Sequence, residues 1–410
     1  MKKIKFSVVF IAIAFLFSAC SGVNRYGIDE GALDFDLRSV EKDICLPVVR
    51  DYLNATDYET QFVALKAMTD SGADRQVAEI LLKIPKDGAV PYSFFISSSE
   101  DFAEYTVSEI EIDGKTEADE YTLGYAIEKN LVPGNEYFWK MTDKNGKIAD
   151  YGKIAVKDAP VRFINVDNVR NVRDIGGWTG EGGKKVSYGL VYRGTRLNGN
   201  TDGSLLLSEK GKAVMRDELG VMTEIDLRAE TDSSGIDNTV QNSCFFAEIV
   251  KGKKDRNYLK CAIGQYDWIT GYNSCVLLKR IFYYLTDEKN YPIYVHCNAG
   301  ADRTGTVAFL INGLLGVSFE DLTRDFELTS TYSARWRSAG EDAFEGTGVN
   351  ASGTYLPGGT GNYVSFGELY DAMMEFSEDG TLKNGIENFL IEKVEIQESH
   401  IEKIRSIFLK

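Results

Sequence analysis

Short alternating runs of apolar and polar residues fill the chain between about residues 60 and 157. They are separated by turn-forming segments such as PKDGAVP, DGKTEAD and DKNGK. A period of two residues with frequent turns is typical of β-strands that bury one face. The predicted strands are VAEILLKIP (77–85), YSFFISSS (92–99), YTVSEIEI (105–112) and YFWKMTD (137–143). Because no helical segment interrupts them, we expect residues 60–157 to form a β-sandwich.

The pattern changes after KDAPV (157–161), where helical and strand-like segments begin to alternate. Apolar residues at helical spacing predict helices over 209–220, 272–286 and 304–316. Buried strands are predicted for VMTEIDL (221–227) and YPIYVHC (291–297). Strand–helix alternation indicates an α/β domain with a mostly parallel central sheet. We therefore expect a multidomain chain, a β-sandwich followed by an α/β domain.

The N-terminus has the layout of a secretory signal. Three lysines lie among the first five residues, an apolar run extends from Phe6 to Phe17, and FSAC ends at Cys20. FSAC resembles a bacterial lipobox, which implies cleavage before Cys20 and a lipid on its sulfur. An ordinary cleaved signal is the alternative. We expect an exported lipoprotein, anchored to a membrane of the cell envelope through Cys20.

Length and charge limit the remaining possibilities. The 410 residues suffice for two or three domains. The predicted division is a signal peptide (1–20), a tether with short elements (21–59), the sandwich (60–157) and the α/β domain (158–410). A formal net charge of −16 argues against a nucleic-acid partner, which binds basic surfaces. It does not exclude an anionic substrate, because one local basic pocket can bind phosphate.

Four further cysteines have two open interpretations. In an oxidising compartment they can form up to two disulfides, or they can be small buried residues. No CxxC pair occurs and the chain has 2 histidines, so a zinc site is not expected. The cysteines concerned are Cys45, Cys244, Cys261 and Cys275.

The segment HCNAGADRTG (296–305) carries the candidate chemistry. It links the predicted strand 291–297 to an apolar helix, and such a turn directs successive backbone N–H groups at an anion. The helix N-terminus adds partial positive charge, and Arg303 can donate two hydrogen bonds to one oxyanion. The same groups favour the thiolate of Cys297. A thiolate beneath a bound phosphate is a nucleophile, so the segment predicts a phosphatase.

Two stretches resemble known families. In AIEKNLVPGNEYFWK, residues Leu131, Pro133, Gly134, Tyr137 and Trp139 follow the L-x-P-G-x-x-Y-x-W pattern of fibronectin type III domains. That resemblance implies a seven-stranded spacer or binding module with a buried tyrosine.

HCNAGADRTG is similar to the H-C-x5-R-[ST] loop of the protein tyrosine phosphatase superfamily. Three upstream segments resemble one bacterial branch of secreted tyrosine and lipid phosphatases. NVRNVRDIGGW (168–178) matches N-x-R-D-x-G-G, and YGLVYRGTRLNG (188–199) matches G-x-x-Y-R. LGVMTEIDLRAETD (219–232) matches L-G-I-x-x-V-I-D-L-R-x-x-x-E. Downstream, LLGVSFEDLTRDFELTSTY (314–332) resembles the helix that follows the loop in that branch.

The resemblance assigns roles to individual residues. Cys297 is the nucleophile and Arg303 binds the phosphate, while His296 supports the loop and the thiolate. Thr304 hydrogen-bonds the sulfur and eases its departure. No metal or other cofactor is implied. The phosphate nest comprises Asn298, Ala299, Gly300, Ala301, Asp302 and Arg303. Four residues are expected to support the site or pair beside it: Arg173, Asp174, Asp226 and Arg228.

The general acid is left open between two aspartates. Asp302 lies inside the loop, where the similar branch is thought to carry its acid. Asp267 lies in QYDWIT, thirty residues before Cys297, where other branches hold theirs on a mobile loop. One departure bears on the substrate. The branch has a lysine where this chain has Ala301, and its loss weighs against multiply phosphorylated lipids.

Three functions follow from these observations. The first is an exported cysteine-dependent phosphatase that acts on phosphotyrosine-like monoesters. The second is a phosphatase for inositol polyphosphates or other small phosphates. The third is an inactive phosphate-binding or adhesion module, with the sandwich as its working part. The intact Cys297 and Arg303 favour the first two.

Overall fold

The computed structural model describes residues 35–56, 92–110, 122–197, 207–229, 257–331 and 362–410, with shorter stretches at 33, 60–61, 63–64, 67, 77–78, 80–85, 348–349 and 355–356. The predicted signal peptide, Cys20 and Cys244 lie outside the described residues. The chain divides into two compact units, which are residues 1–44 with 78–159 and residues 45–77 with 160–410. Among the described residues, no helix has the length and apolar character needed to cross a membrane.

The first unit consists of two β-sheets. Its strands are β1 (Ser39–Lys42), β2 (Leu81–Pro85), β3 (Tyr92–Ser97), β4 (Tyr105–Ile110), β5 (Thr122–Ala126), β6 (Glu136–Thr142) and β7 (Ile148–Val156). One sheet has the order β1-β7-β6-β3-β4, and the other pairs β2 with β5. The strands predicted at 77–85, 92–99, 105–112 and 137–143 are therefore present, the first three with shorter bounds and the fourth shifted by one residue toward the N-terminus. Neighbouring strands are antiparallel except β1, which runs parallel to β7.

The turn that precedes β6 depends on a buried tyrosine. Tyr137 is 4% exposed, and its hydroxyl accepts the N–H of Val132 at 3.0 Å. Gly134, in the same turn, has a φ of +77°, which glycine adopts at little cost. Trp139 lies opposite Gly152 of β7, where a Cβ would stand 2.9 Å from the indole ring. The absence of a side chain at Gly152 therefore leaves room for the indole ring of Trp139 in the core.

The second unit is an α/β domain around a five-stranded sheet. Its strands are β8 (Arg173–Asp174), β9 (Val191–Gly194), β10 (Thr223–Asp226), β11 (Asn257–Lys260) and β12 (Ile293–His296), in the order β11-β10-β12-β9-β8. Four strands are parallel and β8 is antiparallel to β9, so the sheet is mixed but mostly parallel. A short hairpin pairs β13 (Gly348–Val349) with β14 (Tyr355–Leu356).

The helices of this unit are α1 (Pro47–Asn54), α2 (Glu209–Ala213), α3 (Tyr272–Tyr284), α4 (Asp302–Leu314), α5 (Phe319–Glu327), α6 (Asn362–Met374), α7 (Leu382–Glu392) and α8 (Glu398–Phe408). The helix predicted over 209–220 is irregular, because a π-helical turn at Val214–Glu218 follows α2. The other two predicted helices are present as α3 and α4. The larger hydrophobic core includes Ile225, Val295, Leu310, Phe389 and Phe408.

The predicted start of the second unit needs correction. The sequence pattern divides residues 45–77 between the tether and the sandwich, but they group with the α/β domain. The reason is burial, since Val49 and Tyr52 of α1 are 0% exposed within the larger core. The hydroxyl of Tyr52 also donates a hydrogen bond to the buried carboxylate of Glu327 in α5. An N-terminal segment of the α/β domain thus precedes most strands of the first unit.

Candidate active site

The candidate site is the loop between β12 and α4. β12 ends at His296, Cys297 follows with 3% exposure, and α4 begins at Asp302. β12 is the central strand of the sheet and α4 is almost wholly buried, so both ends of the loop are rigidly held. α4 therefore begins inside the segment 296–305, one residue before Arg303. The side chain of Cys297 therefore lies at the junction of a central strand and a helix N-terminus.

Gly300 gives the loop its shape. Its φ is +65°, and a Cβ at this position would stand 2.3 Å from the carbonyl oxygen of Gly194. Gly194, at the end of neighbouring β9, is itself confined, because a Cβ there would stand 2.3 Å from the hydroxyl of Tyr294. Any side chain at either position would push the loop away from the sheet. Two glycines therefore allow the loop to lie against β9.

The carbonyl groups of the loop are bound from outside. The amide nitrogen of Asn171 donates to the carbonyls of Ala299 at 3.1 Å and Gly300 at 3.2 Å. Arg193 donates to Gly300 at 2.8 Å and Ala301 at 3.4 Å. These peptide bonds are trans, and in a trans peptide unit the N–H points opposite to the C=O. The N–H groups that follow each carbonyl are thereby directed to the other side, as an anion nest requires.

A buried ion triad holds the two donors in place. The Asp325 carboxylate accepts from Arg173 Nε at 2.8 Å and from Arg193 Nη1 at 2.5 Å. Arg173 also donates to the side-chain oxygen of Asn171 at 2.5 Å, which orients its amide toward the loop. Burial alone would raise the pKa of Asp325, but the two guanidinium groups outweigh it and the pKa lies below its usual value. Asp325 is therefore a stable anion, and Arg173 is connected to the loop through Asn171.

Asn171 is held in an unusual backbone conformation. Its φ is +56°, in the left-handed region that asparagine enters more readily than most residues. Its side chain is fully buried and spans from Arg173 to the loop. Backbone strain of this kind is often found where a side chain must be aimed at a functional site.

His296 and Arg303 lie on either side of Cys297 in the sequence. The His296 Nδ1 lies 3.2 Å from the carbonyl oxygen of Cys297, so this side chain contacts the backbone of the loop. Its Nε2 lies 2.9 Å from Glu224 Oε1. The half-buried Arg303 guanidinium lies 3.5 Å from the carbonyl oxygen of Leu227.

Thr304 does not make the predicted contact. Its side chain is 0% exposed, and its hydroxyl has no hydrogen-bond partner in the part of the chain that the structure describes. The hydrogen bond to the Cys297 sulfur is therefore not formed. The prediction of this hydrogen bond came from the family resemblance. The position of Thr304 in the first turn of α4 does not by itself bring its hydroxyl to the sulfur.

Comparison with known proteins is consistent with this geometry. A model of the "Tyrosine phosphatase family" matches residues 164–410, more than half of the chain. The chain belongs to the tyrosine phosphatase family. A protein of Cupriavidus necator named "Putative tyrosine-protein phosphatase" is 24% identical over 195 residues, covering 45% of this chain and 68% of its own length. The core catalytic domain of the PP-IP phosphatase SIW14 of S. cerevisiae, solved with citrate, covers 43% of this chain and 83% of its own at 15% identity and a TM-score of 0.25.

Membership of the tyrosine phosphatase family makes this chain a phosphoric monoester hydrolase. In this phosphatase both candidate acids lie beside the start of α4. The Tyr266 hydroxyl donates a hydrogen bond to the carboxylate of Asp302, and its N–H donates to Thr306 at 2.9 Å. Asp267 is the next residue, half-buried in a short 3-10 helix over Tyr266–Thr270. The contacts of Tyr266 bring the two segments together at one end of α4.

The other residues predicted to support the phosphatase site, Asp226, Arg228 and Asp174, make different kinds of contact. Asp226 and Arg228 form the expected salt bridge at 2.8 Å, and Asp226 also accepts from Lys260 at 3.0 Å. Asp174, in contrast, does not contact the loop. It accepts the N–H groups of Gly176 and Gly189 at 3.0 and 2.7 Å and lies 3.4 Å from Arg162. Burial raises the pKa of Asp174. Asp174 therefore shapes a neighbouring turn, and its predicted role in bracing the site stays a prediction.

Three of the four cysteines with two open interpretations lie within the described residues. Cys45, Cys261 and Cys275 are buried, as is Cys297, and Cys261 and Cys275 are free thiols. Burial raises the pKa of Cys261 to about 11 and that of Cys275 above its usual value. These two thiols are therefore unreactive near neutral pH.

The sequence reasoning missed Asn171, Arg193, Asp325 and Glu224. The first three lie inside the segments 168–178, 188–199 and 314–332 that matched the phosphatase pattern. Their position as polar residues inside the matched segments was the available sign of a functional role. Their contacts with the loop and with one another join positions more than 100 residues apart, and the spacing of residues in one sequence does not reveal such contacts.

Gly300→Ala is expected to lower turnover by about 100-fold or more, because a displacement of about 1 Å near reacting groups has effects of that order. Gly182→Ala is the matched control, since Gly182 has a φ of +66° and a Cβ added there would have no atom within 4 Å. Turnover of p-nitrophenyl phosphate and thermal unfolding of both variants measure the effect. Equal losses of turnover in the two variants would show that backbone strain, and not contact with Gly194, is responsible.

Proposed function

We propose that this chain is an exported cysteine-dependent phosphatase, which hydrolyses phosphotyrosine-like monoesters through a cysteinyl-phosphate intermediate. One observation carries the proposal: Asn171 and Arg193 bind the loop carbonyls from outside while Cys297 lies at the start of that loop. Backbone N–H groups, the N-terminus of α4 and Arg303 then favour both the bound phosphate and the thiolate.

The reaction proceeds in two displacements. The Cys297 thiolate attacks phosphorus, a P–S bond forms, and the P–O bond to the leaving group breaks. An aspartic acid gives its proton to the leaving oxygen, so that a neutral alcohol or phenol departs. A water molecule, deprotonated by the same aspartate, then attacks phosphorus. The P–S bond breaks, inorganic phosphate is released, and the thiolate returns.

The charges beside the loop favour a single phosphate. Ala301 is 1% exposed at the start of α4, so no side-chain cation stands at that position. Arg228 and Lys260, at the ends of the neighbouring strands, are both bound to Asp226. Asp226 offsets one of these two cations, so one positive charge at most is left there for a second phosphate. A panel of phosphopeptides, phosphoinositides and inositol phosphates tests this choice, and a clear preference for the polyphosphates would reject it.

Cys297→Ser is expected to abolish turnover while vanadate or phosphate still binds. The loop amides and Arg303 remain, but a serine hydroxyl does not ionise near neutral pH. Turnover of p-nitrophenyl phosphate and calorimetric binding of phosphate are the two measurements. Substantial remaining turnover would assign the nucleophile elsewhere. A wild-type chain that binds phosphate but shows no turnover would instead support a binding module.

Asp302→Asn is expected to slow hydrolysis of phenyl phosphate by about 10²–10⁴-fold, the usual contribution of a general acid. Esters with very good leaving groups should be slowed much less, because they need little protonation, and the basic limb of the pH–rate profile should flatten. Asp267→Asn, one residue from Tyr266, is the matched control and should have a small effect. The reverse pattern would assign the acid to Asp267.

We also propose that the first unit is a fibronectin type III-like module. The support is its two-sheet arrangement, the Pro-Gly turn and the buried Tyr137 beneath that turn. A structure determined by crystallography or NMR for this unit, showing a different strand order, would refute it.

The N-terminal sequence supports export and lipid attachment at Cys20, with the phosphatase held at a membrane of the cell envelope. Metabolic labelling with a radioactive fatty acid, compared between wild type and Cys20→Ser, tests this. Equal labelling, or none in either chain, would argue against a lipid on Cys20.

A further inference from the structure

The imidazole of His296 is fully buried and lies between two oxygen atoms. Its Nδ1 is 3.2 Å from the carbonyl oxygen of Cys297, and its Nε2 is 2.9 Å from Glu224 Oε1. The side chains of both residues are 0% exposed. A carbonyl oxygen can only accept a hydrogen bond, so Nδ1 must carry a proton. The state of Nε2 then depends on Glu224, because an ionised carboxylate is also only an acceptor.

We propose that Glu224 is a positioning residue that keeps His296 doubly protonated, so that a buried imidazolium supports the Cys297 thiolate. The assignment rests on the proposed role of Cys297 as the nucleophile. Glu224 contacts His296 and acts through it, and no contact between Glu224 and the phosphate is required. The imidazolium has two effects: it binds the Cys297 carbonyl and places a positive charge next to the thiol along the chain.

The electrostatic argument depends on burial. A histidine removed from water favours its neutral form, and a carboxylate within hydrogen-bond distance reverses that preference. Glu224 itself is buried on a central strand, where an unpaired charge is very costly. Each group therefore needs the other as an ion pair. The alternative location of the shared proton, on Glu224, would leave a neutral imidazole and a weaker stabilisation of the thiolate.

The carboxylate is not needed to fill this position. A β-branched apolar residue suits a buried parallel strand without any polar partner. The glutamate thus adds a specific interaction, and His296 is the partner to which its Oε1 is bonded.

The other ionisable groups around this pair are accounted for in the described part of the chain. Asp226 lies directly opposite His296 in the strand register and is bonded to Arg228 and Lys260. Burial raises the pKa of Asp226, but the charge of His296, and after it those of Arg228 and Lys260, hold that pKa far below the usual range. Asp226 thus also favours the charged imidazole, without a hydrogen bond to it. Tyr294 packs at 5.6 Å from the imidazole, and burial raises its pKa well above the usual value.

Tyr258 lies on β11 beside β10, and burial likewise raises its pKa above the usual value. Both tyrosines are therefore neutral near pH 7. Arg228, the remaining ionisable neighbour, is a permanent cation that carries its own counter-ion in Asp226. Glu224 is the carboxylate bonded to the imidazole.

Nuclear magnetic resonance of the full chain, labelled with ¹⁵N-histidine, tests the protonation directly. The chain contains 2 histidines, and His400→Gln identifies the second signal. In the wild type near pH 7, both ring nitrogens of His296 should show the protonated pattern. In Glu224→Gln and Glu224→Val, His296 should become a neutral imidazole with its proton on Nδ1. A neutral His296 in the wild type, or an imidazolium that survives in both variants, would overturn the proposal.

The rate of Cys297 alkylation by iodoacetamide at one mildly acidic pH provides a second readout, with Cys297→Ser subtracted as background. That rate should fall by about ten-fold in both variants, because loss of one nearby opposite charge leaves less of the thiol ionised. An unchanged or higher alkylation rate would contradict the proposal. Neither readout requires turnover, so a failure of the proposed function would be seen separately in the absence of hydrolysis.

Discussion

Asp325 binds two buried guanidinium groups through its two carboxylate oxygens, and the orientation of the phosphate loop depends on that arrangement. Arg193 reaches the loop carbonyls directly, while Arg173 reaches them through Asn171. Without a counter-ion the two arginines would be buried cations, and breaking a buried pair typically costs about 3–5 kcal/mol. That is a large part of the ~5–15 kcal/mol by which a domain is usually stable. The loop conformation is therefore coupled to the stability of the whole α/β domain.

This arrangement also explains how an acidic chain can bind an anion. The net charge of −16 is spread over 410 residues, and at physiological ionic strength exposed charges are screened beyond about 8 Å. The groups proposed to act on phosphate are local: backbone amides, the start of α4 and Arg303. Asp325 offsets one of the two positive charges of Arg173 and Arg193, and Asp226 offsets one of the two of Arg228 and Lys260. One positive charge therefore remains in each of these two clusters.

Local patterns predicted the elements of the fold, while contacts between distant segments had to come from the structure. Alternation predicted the strands of the first unit, and helical spacing predicted α3 and α4. The strand–glycine–helix pattern around Cys297 predicted the loop between β12 and α4. The role of Asp325 was not visible, because it joins residues from β8, β9 and α5. The same limit explains why α1 was separated from the α/β core that buries Val49 and Tyr52.

The most direct measurement is a crystal structure of Cys297→Ser with bound tungstate or phosphate. The account predicts an anion whose oxygens accept hydrogen bonds from the N–H groups of Gly300, Ala301 and Asp302 and from the guanidinium of Arg303. Asn171 and Arg193 should still bind the loop carbonyls on the opposite side. An anion held only by side chains, or a loop whose carbonyl oxygens face the anion, would contradict the account.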